Sequence, residues 1–202
     1  MESRIYLASR SPRRRELLNQ IGVRFDLLLF RAGTRADADT DETPLAGENA
    51  DDYVVRVARA KAVHGASLLL VRHLPQRPVL SADTTLDLDG NIIGKPEDEA
   101  DARRILAHLS GKVHRVLTAV AIADGGEVAH AVSVSEVRFR ALDEQEISRY
   151  VASGEPMDKA GAYGIQGRAA IFIEEIRGSH SGIVGLPLCE TANLLKQFRY
   201  SL

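Results

Sequence analysis

The chain has 202 residues, of which 45% are hydrophobic and 27% are charged, a balance typical of a globular protein and not of a disordered or membrane-embedded one. This length suits one domain, with up to two lobes, so we expect a single domain over residues 1–202 without a linker. The 26 basic and 28 acidic side chains give a net charge of −2. No overall positive field therefore favours nucleic acid or an anionic membrane as a partner.

Cysteine content and apolar runs bear on the cellular compartment. Cys189 is the single cysteine, so it has no partner for an internal disulfide. The apolar runs, such as residues 27–30 and 68–71, are far shorter than the roughly 20 residues that a membrane helix needs. Charged residues also interrupt the start of the sequence, where a signal peptide would be apolar. We therefore expect a reducing, cytoplasmic setting.

Apolar patterning predicts four elements in the first third of the chain. They are a strand at 5–9, a helix at 11–21, a strand at 25–30 and a helix at 50–71. The first helix has a strong start at Ser11-Pro12 and a stop at Gly22. A polar connection over residues 31–49 precedes the long helix, and connections of that length in a compact domain are often functional.

The rest of the sequence alternates strands with helices. Predicted strands cover residues 78–83, 113–123, 127–140 and 171–176, and predicted helices cover 97–109, 143–152 and 189–200. Asp89-Gly90 is the strongest hairpin signal and extends the strand at 78–83. The β-branched hairpin over 113–140 indicates a sheet that runs the length of the molecule.

The stretch SRSPRRRELL, residues 9–18, places three arginines in the first turn of a helix. The positive pole of the helix dipole lies there, so cations are unfavourable until an anion binds. Free amides at a strand-to-helix turn bind phosphate, and guanidinium groups match phosphate oxygens. We therefore interpret Arg13 and Arg14 as polyphosphate ligands, with solvated surface charges as the alternative. Arg15, about 200° around the helix from Arg13, is expected at the surface.

Four other residues are suited to metal or phosphate chemistry. Asp83 ends a predicted strand, where α/β active sites usually lie, and can hold a divalent metal or accept a proton from water; a turn or capping role is the alternative. Glu42 is a candidate second metal ligand in an acidic loop that could equally be solvated. Lys61 lies in an apolar helical stripe, so it must reach solvent or meet a buried anion. Lys95 projects from a stiff Gly-Lys-Pro loop.

The glycine-rich stretch DKAGAYGIQGRAA, residues 158–170, lacks the glycine patterns of dinucleotide folds and P-loops. Its amide side chain, Gln166, can donate to a carbonyl and accept from a ring N–H. The imide edge of uracil or thymine presents that combination. We therefore interpret the stretch as a base-recognition loop, with a mobile surface loop as the alternative.

Seven stretches carry a resemblance that runs in order over nearly the whole chain. They are LASRSPRRRELL, DTDETP, YVVRVARAKA, ADTTLDLDGNIIGKP, LSGKVH, DKAGAYGIQG and VGLPLCET. Together they resemble the Maf family of nucleoside triphosphate pyrophosphatases, also called septum formation proteins. The resemblance implies a mixed α/β fold, like that of Maf and inosine triphosphatase proteins, with a long twisted central sheet and flanking helices in two lobes around a cleft.

The same resemblance implies metal-dependent hydrolysis of a nucleotide to its monophosphate and pyrophosphate, with magnesium or manganese as the metal. The matching site positions are Ser9, Arg13, Arg14, Glu42, Lys61, Asp83, Thr84, Lys95 and Gln166. GAYGIQG is similar to the branch that acts on dTTP and UTP, which is distinguished at Arg13, Thr84 and Gln166.

Residue analysis and resemblance lead to one hypothetical mechanism. Asp83 orients or deprotonates the water that attacks the α-phosphorus, and pyrophosphate leaves. Asp83 and Glu42, with substrate oxygens, hold the metal. The triphosphate is bound by Ser9, Arg13, Arg14, Lys61 and Lys95.

Two alternatives stay open at this stage. The first is a 7-methyl-GTP pyrophosphatase of the same family, which a panel of nucleotides would distinguish. The second is a non-enzymatic, nucleotide-binding regulator of septum formation. Family analogy also suggests a homodimer, whereas neither nucleic acid nor membrane is expected as a partner.

Overall fold

The computed structural model of the protein describes residues 4–30 and 41–200. Within them, seven strands form one mixed sheet in the order β2-β1-β3-β5-β6-β7, with β4 paired to β3. The strands are β1 Ile5–Leu7, β2 Phe25–Leu27, β3 Val79–Leu88, β4 Asn91–Ile93, β5 Val113–Asp124, β6 Glu127–Phe139 and β7 Ile173–Arg177. The helices are α1 Pro12–Gln20, α2 Ala50–Val71, α3 Glu99–Leu109, α4 Glu144–Val151, α5 His180–Val184 and α6 Leu188–Gln197. The predicted mixed α/β class is confirmed.

The edge of β3 has a gap in its strand pairing. β1 runs parallel to β3, and their pairing ends at Leu80. On the same side, the antiparallel partner β4 pairs with β3 only from Leu86 onward. In the described part of the chain, residues 81–85 therefore have a strand neighbour on one side only, which is β5. This gap leaves space for a cleft beside the middle of β3.

The sheet separates α2 from the other helices. α2 packs on small side chains of β5, such as Ala119 and Ala121. At Gly65 it approaches β3 so closely that an added Cβ would lie 2.8 Å from a methyl of Val79. The opposite face carries two apolar clusters, one with α1 and α6 and the other with α3 and α4. The long strands β3 and β5 contribute to both clusters and join the two halves of the molecule.

Side-chain caps explain where the helices begin. The Ser11 hydroxyl accepts a hydrogen bond from an amide in the first turn of α1, as the Ser-Pro signal predicts. Asn49 caps α2 in the same way, and α2 covers the predicted range of 50–71. Asp143 and Glu146 form a capping box at α4. None of the helices in residues 4–30 and 41–200 is both long and apolar enough to cross a membrane.

Several boundaries differ from the prediction. β1 and β2 are shorter than expected, and β3 is longer, because β5 pairs with it from Val79 through Asp87. The prediction that Asp83 ends a strand is therefore wrong, since Asp83 lies in the middle of β3. The short helix α5 was not predicted, and the glycine-rich stretch contains 3-10 turns at Glu155–Asp158, Ala160–Ala162 and Arg168–Phe172. Residues 31–40 of the predicted connection lie outside the described residues.

Candidate active site

A cleft of about 1340 Å³ lies at the gap in the β3 edge. Its walls come from the β1–α1 turn, one side of α2, the middle of β3, the loop after β4 and the 155–167 segment. All nine residues predicted for the site line this cleft, namely Ser9, Arg13, Arg14, Glu42, Lys61, Asp83, Thr84, Lys95 and Gln166. The fold therefore brings together side chains that are distant in sequence.

A carboxylate pair shares one ammonium group on the α2 side of the cleft. The Lys61 Nζ atom lies 2.8 Å from Asp83 Oδ1 and 2.8 Å from Glu42 Oε1. The side chains of Lys61 and Asp83 are only 15% and 10% exposed, whereas that of Glu42 is 49% exposed. Of the two predicted alternatives for Lys61, the structure shows contact with anions. Asp83 and Glu42 therefore both contact the ammonium group of Lys61.

Arg14 is held in the wall of the cleft by protein groups. Its Nε donates to the Gly185 carbonyl at 2.8 Å, and its two terminal nitrogens donate to Ser9 Oγ at 3.2 Å and Thr84 Oγ1 at 3.4 Å. Burial lowers the pKa of the Arg14 guanidinium, and the nearby Asp83 charge partly offsets this; an arginine stays protonated nevertheless. Although the sequence places this cation where it is unfavourable without an anion, the folded chain supplies it with three protein acceptors.

Thr84 joins Arg14 to the interior of the sheet. Its hydroxyl lies 2.9 Å from the hydroxyl of Thr118, which donates to the Gly182 carbonyl at 2.8 Å. Because successive side chains of a strand point to opposite faces of the sheet, Thr84 and its neighbour Asp83 lie on opposite faces. The gap in the β3 edge exposes both residues to one cleft.

Other polar groups of the cleft are free to bind a ligand. Among the described residues, Arg13, Lys95 and Gln166 have no hydrogen bond or ion pair with another protein group. Lys95 and Gln166 are exposed, and Arg13 is half-buried. Arg15 is also half-buried, although it was expected at the surface, and it does not line the cleft.

The loop that carries Gln166 is hydrogen-bonded to the side chain of Glu155. The Glu155 carboxylate accepts hydrogen bonds from the Tyr150 hydroxyl at 3.0 Å and from the Arg168 amide at 3.1 Å. A Cβ on Gly167 would collide with the Glu155 carboxylate, so a larger residue there would displace that side chain. The loop is thus tied to its support by specific contacts.

Tyr163 connects the same loop to the sheet. Its hydroxyl lies 2.7 Å from His114 Nε2 on β5, and both side chains are buried. Burial lowers the pKa of His114 to about 4, so the imidazole is neutral near pH 7. A neutral hydrogen-bonded pair avoids the cost of an unpaired buried charge.

Sequence reasoning missed several residues that shape the cleft. Thr118 could have been found, because it interrupts an apolar strand with a hydroxyl. Tyr53 and Arg56 belong to the stretch YVVRVARAKA, in which only Lys61 was predicted to be a site residue. Glu155 had no signal, since its partners come from separate turns.

The fold and the cleft define an α/β protein with a site for an anionic ligand next to two carboxylates. A family model described as "Maf-like protein" matches residues 4–198. The chain belongs to the Maf family.

Several relatives are similar over nearly their whole length. A protein of Aromatoleum aromaticum, named dTTP/UTP pyrophosphatase, is 64% identical and covers 100% of this chain and 98% of its own. Proteins of the same name from Dechloromonas aromatica and Ralstonia nicotianae are 62% and 58% identical, with 98% of this chain and 98% and 95% of their own chains covered.

A solved structure shares the fold at much lower sequence identity. The Staphylococcus aureus Ham1 protein is similar to this chain with a TM-score of 0.52, covers 98% of each chain and is 14% identical. The likeness shows the fold alone.

Proposed function

We propose that this protein hydrolyses dTTP and UTP to the nucleoside monophosphate and pyrophosphate. Relatives of that name at 58% to 64% identity support the substrate class. The observation that carries the proposal is the cleft itself, where the cations Arg13 and Lys95 face the same space as the Asp83 carboxylate. Cations that bind phosphate beside a general base are what phosphoanhydride hydrolysis needs.

The β1–α1 turn holds the triphosphate in this proposal. Ser9 and the first-turn amides of α1 supply hydrogen bonds at the positive end of the helix. Arg14 is already oriented by its protein partners, so it presents charge with little loss of side-chain entropy. Arg13 and Lys95 add charge from groups that make no hydrogen bond or ion pair within residues 4–30 and 41–200.

Asp83 orients or deprotonates the attacking water. The water oxygen forms a bond to the α-phosphorus while the bond from that phosphorus to the bridging oxygen of the β-phosphate breaks. The water proton passes to the Asp83 carboxylate, and pyrophosphate leaves. Lys61 holds the carboxylate in place through its 2.8 Å contact.

The donor set fits a divalent cation of the magnesium type. The described residues contain no group of three or more metal-binding side chains, but the carboxylates of Glu42 and Asp83 both contact the Lys61 ammonium and so lie close enough to approach one cation. Magnesium is commonly bound by one or two carboxylates together with substrate phosphates, so these two residues would hold it. When bound, the cation would neutralise phosphate charge.

Base selection in this proposal depends on Gln166, with Arg13 and Thr84 nearby in the cleft. The amide of Gln166 has no protein partner among the described residues and can pair with both a carbonyl and a ring N–H. The loop beneath it is tied to Glu155, so the amide is presented in a defined position.

A cytoplasmic location fits this proposal, since the sequence has no cysteine pair to oxidise.

Pyrophosphate release from dTTP, UTP, CTP, ATP, GTP and 7-methyl-GTP, with magnesium or manganese, tests the proposed function. We expect dTTP and UTP to be hydrolysed at least about tenfold faster than the others, because each mismatched hydrogen bond costs roughly 1 kcal/mol or more. A preference for 7-methyl-GTP would contradict the substrate class. Release of inorganic phosphate in place of pyrophosphate would contradict the reaction.

A further inference from the structure

Two side chains of α2 bind three successive backbone carbonyls around Glu42. Arg56 donates to the carbonyl of Asp41 at 3.2 Å and to that of Thr43 at 3.0 Å. Between them, the Tyr53 hydroxyl donates to the carbonyl of Glu42 at 2.9 Å. The backbone on both sides of the Glu42 side chain is thus tied to one helix.

Arg56 is also held by an ion pair with Glu48. Its Nε and one terminal nitrogen donate to the two carboxylate oxygens of Glu48, at 2.7 Å and 2.8 Å. Glu48 also accepts a hydrogen bond from the Leu45 amide at 3.0 Å. The Arg56 guanidinium further lies 5.5 Å from the centre of the Tyr53 ring. A guanidinium can serve all these acceptors at once because its donors form a planar fork.

The carboxylate of Glu42 has few contacts of its own. Its partner among the described residues is Lys61, at 2.8 Å, and its side chain is 49% exposed. A half-exposed ion pair by itself orders a side chain weakly. The position of this carboxylate in the cleft therefore depends on the backbone that carries it.

We propose that Arg56, together with Tyr53, is a positioning residue that holds Glu42 at the reaction centre. The inference rests on the proposed function, which gives Glu42 its role beside Asp83. Arg56 does not line the cleft, so it acts on the reaction through the segment it binds.

The core of α2 does not depend on Arg56. The buried face of the helix consists of other residues, such as Val54, Val57 and Ala58. The start of the helix is capped independently by Asn49, whose side chain accepts from the Asp52 amide at 2.8 Å. Replacing Arg56 therefore removes contacts to the 41–48 segment while leaving the helix in place.

A double-mutant cycle with Glu42 tests the proposal. We expect Arg56→Gln to lower kcat for dTTP about tenfold, and Tyr53→Phe, which removes one hydroxyl, about threefold. In the Glu42→Gln background, Arg56→Gln has no further effect, because the residue it positions is already altered. Arg59→Gln is the matched control, since Arg59 is a half-buried arginine of the same helix that contacts Val128 and His130 outside the cleft.

Hydrogen exchange gives a readout that does not require activity. In Arg56→Gln, amides of the 41–48 segment are expected to exchange at least about tenfold faster, while those of α2 are unchanged. Equal kcat losses with and without the Glu42 substitution, or unchanged exchange of the segment, would overturn the proposal. If the parent protein hydrolyses neither dTTP nor UTP, the proposed function fails, and the exchange rates alone still decide whether Arg56 positions the segment.

Discussion

Asp83→Asn should lower the turnover of dTTP by about a hundredfold or more, the usual effect of losing a general base. The substitution keeps the shape of the side chain and removes its charge. Lys61 retains Glu42 as an ionic partner, so no buried ammonium is left without an anion. Steady-state kinetics with saturating magnesium, together with thermal unfolding, checks this result. A variant that keeps more than about a tenth of the parent turnover would show that Asp83 is not the base.

Asp87→Asn provides the matched control for that substitution. Asp87 lies four residues further along β3, on the same face, and is a buried carboxylate paired with Arg115 at 2.9 Å. It does not line the cleft. We expect this variant to lose stability but to keep kcat within about twofold of the parent, because its charge interacts with groups outside the site. Similar losses of kcat in both variants would mean that the effect of Asp83→Asn is structural.

Arg14→Ala should reduce hydrolysis by roughly a hundredfold, since charged hydrogen bonds to phosphate are worth about 1.5 to 3 kcal/mol each. It should also lower the free energy of unfolding of the ligand-free protein by about 1 to 3 kcal/mol, because the acceptors on Ser9, Thr84 and Gly185 lose their donor. Urea unfolding beside the activity assay measures both quantities.

Arg13→Ala separates the two effects. Arg13 makes no hydrogen bond or ion pair among the described residues, so its removal should reduce hydrolysis while leaving the ligand-free stability unchanged or slightly higher, as expected for a cation removed from a helix N-terminus. If Arg13→Ala destabilises the ligand-free protein as much as Arg14→Ala does, our description of two different arginines is contradicted.

Local signals predicted the elements whose ends are set by local chemistry. The caps at Ser11 and Asn49 act within one helical turn, and the Asp89-Gly90 turn closes its hairpin without help from distant residues. α5 escaped prediction because five residues that include a glycine show no helical period. The ends of β3 depend on pairing with β5, from Val79 with Ala123 to Asp87 with Arg115, which no local pattern of β3 contains.

The site residues were predictable by type, but their partners were not. A lysine in an apolar stripe left solvent and a buried anion as alternatives, and its contacts with Glu42 and Asp83 arise from a loop and a strand that meet only in the folded chain. Arg14 finds its Gly185 acceptor 171 residues away. The position of Arg14 in the first turn of a helix therefore could not reveal this contact.

Hydrolysis of dTTP in water enriched in oxygen-18 tests most directly whether water attacks the α-phosphorus. Mass spectrometry of the two products shows which phosphorus was attacked. Our account predicts one heavy oxygen in the monophosphate and none in the pyrophosphate, because the water bonds to the α-phosphorus. Heavy oxygen in the pyrophosphate would mean attack on the β-phosphorus and would contradict the proposed reaction at the α-phosphorus.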